Sequence, residues 1–121
     1  MAIELKTRTK SFALDIVRLF SALPRRTEAQ VLGRQLLESG TSVGAQYHEA
    51  QRAKSDRDFV SKIEGSLQEL EETEYWLELL AESGFGPTER LNLLKRETNE
   101  LISIFVTIVK NAKLRPKTPK S

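Results

Sequence analysis

The chain has 121 residues, 39% of them hydrophobic and 30% charged, the length of one domain that can bury a core but keeps a large surface for its volume. It has no cysteine, which excludes disulfides and thiolate chemistry. No apolar run approaches the roughly 18 residues of a membrane span, so the sequence reads as a soluble, untargeted protein compatible with a cytoplasmic location.

The formal net charge is only +2, but the charges are segregated: residues 64–82 hold seven Glu and no Lys or Arg, and residues 110–121 hold five basic residues and no acid.

Phe12, Ile16, Leu19, Phe20 and Leu23 recur at helical steps and predict a first helix over about 6–22 with one buried face. Pro24 ends it. Thr27-x-x-Gln30 offers a capping box, which places the start of a second helix near Thr27.

That helix carries Leu32, Leu36, Val43, Tyr47 and Ala50 on one stripe and Gly33, Leu37, Gly40, Gly44 and His48 on the next. Each interior glycine costs about 1 kcal/mol against alanine. The expected compensation is a close approach by a neighbouring helix; the alternative is a helix broken near Gly40.

Ser55-x-x-Asp58 follows as an N-cap, so the third helix should turn back antiparallel after a short connection. Its expected core line is Val60, Ile63, Leu67, Leu70, Glu74 and Leu77, with Phe59, Trp76 and Leu80 beside it. Gly84 suits a left-handed cap, and Thr88 opens a fourth helix with the stripe Leu91, Leu94, Thr98, Leu101, Phe105, Ile108 and Ala112. The expected architecture is an all-α, antiparallel up-and-down four-helix bundle over residues 1–113, with residues 114–121 as a basic, flexible tail.

This topology gathers Lys6, Arg8, Lys10, Arg52, Lys54, Arg57, Lys110, Lys113, Arg115, Lys117 and Lys120 at one pole. With no stacking aromatics between them in sequence, they suggest phosphate-dominated, weakly selective nucleic-acid binding, with a solvated helix end as the alternative explanation. Self-association is expected as well. LISIFVTIV at 101–109 is apolar around the whole helix, which leaves Ile104 and Val106, with Trp76 or Leu79, as an oligomer interface. Burying four such side chains is worth roughly 6–12 kcal/mol before association costs.

Ser42-Val43-Gly44-Ala45-Gln46-Tyr47-x-Glu49-Ala50, then Arg52-Ala53-x-Ser55-x-x-x-Phe59, Lys62-Ile63, Glu69 and Tyr75-Trp76-Leu77-Glu78-Leu79-Leu80, resemble the small bacterial four-helix-bundle proteins encoded in intervening sequences of large-subunit ribosomal RNA. The resemblance covers nearly the whole chain from Phe12 onward, and it is a pattern of packing rather than of catalysis. Position 46 usually carries Asn in that family and is Gln46 here. The resemblance implies a ring-shaped homo-oligomer, commonly a homopentamer. A related branch, the accessory proteins of diversity-generating retroelements, implies a basic surface for RNA or DNA and a reverse transcriptase partner.

Catalysis finds little support. A di-iron bundle needs paired Glu-x-x-His units, and His48 is the one histidine. His48 and Glu49 are adjacent on a helix and point apart. There is no phosphate-loop or dinucleotide fingerprint. The sequence therefore reads as a non-enzyme without metal or cofactor. Gln46, Glu49 and Glu74 are the candidate buried polar groups, with Arg34 or Arg52 as expected partners for the acids. A protein scaffold ring without nucleic-acid binding is the alternative function.

Overall fold

The computed structural model describes residues 4–115. They form four helices and nothing else regular: α1 Leu5–Ser21, α2 Thr27–Ala50, α3 Asp56–Glu82 and α4 Thr88–Leu114. Neighbours pack in the order α1–α2–α3–α4, and α4 closes back on α1 with the loosest of the four contacts. This is an antiparallel four-helix bundle.

Most local signals act as read. Pro24 follows the end of α1. Ser55 caps α3, its hydroxyl accepting from the Asp58 amide at 3.0 Å. Gly84 takes φ +76°, and the Gly84 and Phe85 amides donate to the Ala81 and Leu80 carbonyls at 3.1 and 2.9 Å, a pairing that fixes the end of α3. The capping box is the exception. Thr27 is already inside α2, Arg26 holds the cap position without a capping bond from its side chain, and Gln30 donates to the Pro24 carbonyl at 2.9 Å instead.

α2 runs unbroken through Gly33, Gly40 and Gly44. A Cβ at Gly40 would lie 2.7 Å from Ile16 Cγ1, and one at Gly33 would lie 2.6 Å from Leu23 Cδ1. The glycine ridge is where α1 beds onto α2, and that packing offsets the glycines' helix cost.

The core line of α3 is Ile63, Ser66, Leu70, Thr73, Leu77 and Leu80, so Val60, Leu67 and Glu74 lie off it as half-buried flanks. Hydroxyls make this register possible, because each can satisfy itself on a backbone carbonyl. Ser66 donates to the Val43 carbonyl of α2 at 2.9 Å. The Thr73 hydroxyl lies 2.8 Å from the Glu69 carbonyl and 2.9 Å from the Ser39 hydroxyl. Small side chains at these positions let α2 and α3 approach closely.

α1 has 17 residues and α4 has 27, so α4 is longer by about 15 Å. Arg8 of α1 meets Glu97 and Glu100 of α4. Along that face of α4, one and two turns further on, stand Ile104 and Ile108, where α1 has run out; both are half-buried. The apolar excess of 101–109 therefore has a geometric origin, and Val106 is 46% exposed.

Candidate nucleic-acid interface

The bundle brings the α1 N-terminus, the α2–α3 turn and the α4 C-terminus to one pole, and it divides their cations into two sets. Arg8 is clamped by Glu97 at 2.7 and 2.8 Å and by Glu100 at 3.0 Å, and the Glu97 carboxylate holds its guanidinium well above the ordinary arginine range. Lys113 pairs with Glu64 at 3.0 Å and Arg115 with Asp56 at 3.3 Å. These three expected nucleic-acid contacts are already engaged inside the protomer, and Arg8 serves chiefly to tie α1 to α4.

Lys6, Lys10, Arg52, Lys54, Arg57 and Lys110 are exposed and make no ion pair among the described residues. Lys117 and Lys120, with most of the expected tail, lie outside the described residues. At the opposite pole Arg26 is occupied by Glu28 at 2.9 Å and by the face of Phe85 at 5.4 Å. Six of the cations without an ion pair among the described residues thus share this pole, while Arg25, Arg34, Arg90, Lys95 and Arg96, also without one, are spread over the rest of the bundle.

The expected buried acids take other places. Glu49 is exposed and pairs with Lys62 at 2.9 Å, not with Arg34 or Arg52, because position 49 of α2 faces the second turn of α3. Glu74 is half-buried and off the core line. His48 lines the groove toward α1 while Glu49 faces α3, and Glu74 stands twelve residues, about 18 Å, along α3 from the lysine that Glu49 meets. No acid–base constellation is assembled from these three.

Gln46 is half-buried and donates to Glu69 at 3.4 Å. Its amide oxygen occupies the space a side chain at Gly65 would need, so that glycine accommodates the longer amide. Burial first, then the nearby Glu72 and Glu38 carboxylates, push Glu69 above its ordinary range. A carboxylate raised by folding weakens the fold above its folded pKa and stops doing so as pH falls through it. Glu69→Gln is therefore expected to raise the melting temperature at neutral pH and to have little effect in acid, a contrast visible in melts at the two pH values.

Of the four expected interface residues, Trp76, Leu79 and Ile104 are half-buried, and Trp76 and Ile104 pack onto the core of their own bundle beside their helices' buried lines. The Trp76 indole nitrogen is buried without a hydrogen-bond partner. Trp76 lies two turns from Glu69, on the side of α3 facing α2, whereas Ile104 lies on the α1 side of α4. The four residues do not form a single patch. Other exposed apolar side chains, including Leu14, Val31, Tyr75 and Leu93, are distributed over all four helices.

A family model described as 23S rRNA-intervening sequence protein matches residues 2–107. The chain belongs to this family. Among solved structures, a protein of unknown function from the S23 ribosomal protein family of Bacteroides thetaiotaomicron is 36% identical over 87% of this chain and 97% of that one, with a TM-score of 0.81. No curated protein matches the sequence. The intervening-sequence family fold thus accounts for the packing residues of this chain. Among the described residues, no group of His, Cys, Asp and Glu is placed to hold a metal, and no helix is long and apolar enough to cross a membrane.

Proposed function

We propose that this intervening-sequence family protein is a non-enzymatic, self-associating bundle whose basic pole docks on nucleic acid. The observation that carries the reading is the set of six exposed cations without an ion pair among the described residues, Lys6, Lys10, Arg52, Lys54, Arg57 and Lys110, on three segments that only the fold brings together. Cations already neutralised by carboxylates have little to offer a phosphate; unpaired ones release condensed counterions when they bind it. If all six engage, log K should fall against log salt with a slope of about −5 on duplex. Fluorescence anisotropy of labelled nucleic acid across a salt series measures that slope. An absence of binding at 20 mM salt, roughly the weakest screening that is practical, overturns the proposal.

Self-association is favoured by the apolar strip where α1 runs out. Because Trp76 sits at the α2–α3 seam and Ile104 at the opposite α4–α1 seam, the two surfaces suit a heterologous contact, in which unlike faces of successive copies meet and close as a ring. Several copies would multiply the cations on one side and raise affinity through avidity. A ring that scaffolds another protein is the second reading, and it shares this assembly. Val106→Glu is expected to lower the mass measured by light scattering while leaving the helical content unchanged. Ile104→Glu is the poorer probe, since Ile104 also packs on the core and its loss would weaken the protomer itself.

A further inference from the structure

Resting on the reading that the basic pole docks nucleic acid, we propose that the groove between α1 and α2 at that pole takes an unstacked base of a single strand, with Lys6 and Lys10 on its phosphates. The sequence keeps these groups about 40 positions apart; the fold lines one groove with Lys6, Lys10, Gly44, Ala45, Tyr47 and His48.

The parts are suited to a base and its phosphates. Lys6 and Lys10 are exposed and unpaired among the described residues, and they stand one turn apart on α1, about 6 Å along the axis. Tyr47 is half-buried and braced from below by Phe105, with ring centroids 5.8 Å apart, while Gln51 donates to its hydroxyl at 3.3 Å. His48 is exposed beside it. Gly44, Ala45 and Ala13 keep the groove open because they are small. Its volume is about 270 Å³, just under the roughly 300 Å³ at which pockets for drug-sized ligands begin. A space of that size has room for one base.

An aromatic wall beside a cationic rim is the arrangement by which proteins hold single strands with little sequence preference, because every base has a face to stack. A duplex keeps its bases paired and stacked, so it can use the cations but not the groove. One group opposes the phosphates: Glu4 lies close enough to Tyr47 for its charge to add to burial in raising the phenol above its ordinary range. Removing that charge should tighten binding.

The test is anisotropy on the full chain with a labelled oligouridylate, an oligodeoxythymidylate and an RNA duplex of equal length, all at 50 mM salt. Both single strands are expected to bind about tenfold tighter than the duplex, the contribution of one stacked base. Ala13→Phe, which fills the groove, should remove that advantage and leave the duplex affinity unchanged. His48→Ala, at an exposed position that leaves the fold intact, should lower single-strand affinity severalfold, and Glu4→Gln should raise it. Equal affinity for all three probes, with Ala13→Phe and His48→Ala matching the parent chain, overturns the groove while the basic pole stands. Failure of every probe to bind overturns the pole as well.

Discussion

Gly40→Leu is expected to lower the melting temperature by about 10 °C or more, the equivalent of roughly 3 kcal/mol in a domain of this length. Even the first atom of the new side chain has no room: a Cβ would lie 2.7, 2.9 and 3.0 Å from three carbons of Ile16. Ile16 is fully buried and cannot swing away, since close-packed interiors hold few voids to receive it. Leucine would gain about 1 kcal/mol of helix propensity over glycine, which is less than the overlap costs. Thermal melts followed by circular dichroism measure the sum. Gly44→Ala is the internal control, because its Cβ would meet Thr9 Oγ1 at 3.1 Å, near the groove edge, where a few tenths of an ångström suffice. Trimming the partner, as Ile16→Ala in the Gly40→Leu background, should restore part of the loss; a Gly40→Leu chain as stable as the parent would show that α1 does not bed on this ridge.

The largest functional effect is expected from neutralising Lys6, Lys10, Arg52 and Lys54 together to glutamine. If six cations meet phosphates, removing four lowers the salt slope on a single strand by about 3 and the affinity at 50 mM salt by about three orders of magnitude. All four are exposed, and none makes an ion pair among the described residues, so the fold should keep its melting temperature within about 2 °C, as is usual for surface substitutions. A variant that binds nucleic acid as tightly as the parent would move the interface away from this pole. The full effect also depends on assembly, since several weak contacts per copy become strong only when copies act together.

The helices were legible in the sequence because their signals are local. Steps of three and four in apolar residues, Pro24 after α1, Ser55 before α3 and Gly84 after it each act within a turn or two. The register of α3 was not legible. An apolar line through Leu67 and Glu74 reads better than one through Ser66 and Thr73, and only the proximity of α2, with the Val43 carbonyl and Ser39 within reach, turns hydroxyls into core residues. The Thr27–Gln30 box failed for a related reason: Gln30 finds the Pro24 carbonyl, which the loop places near it.

The site shows the same boundary. That basic residues cluster at one pole follows from topology alone, but which of them are already engaged does not. Arg8 is 89 positions from Glu97 and 92 from Glu100, and nothing in the spacing of either helix announces their pairing. Glu49 illustrates this at shorter range: its stripe on α2 is amphipathic, and the partner that decides its surroundings, Lys62, belongs to α3. The Tyr47 and His48 wall could not be seen beside Lys6 and Lys10 before α1 and α2 were laid together.

The distinction between engaged and unpaired cations is tested most directly by the salt slope of two variants that each lose three positive charges. One carries Lys6→Gln, Lys10→Gln and Lys54→Gln; the other carries Arg8→Gln, Lys113→Gln and Arg115→Gln, the residues paired within the bundle. The first should shed about 2 from the parent's single-strand slope and the second close to none. Equal losses in the two variants would contradict the account, because binding would then follow net charge rather than the cations that the fold leaves free.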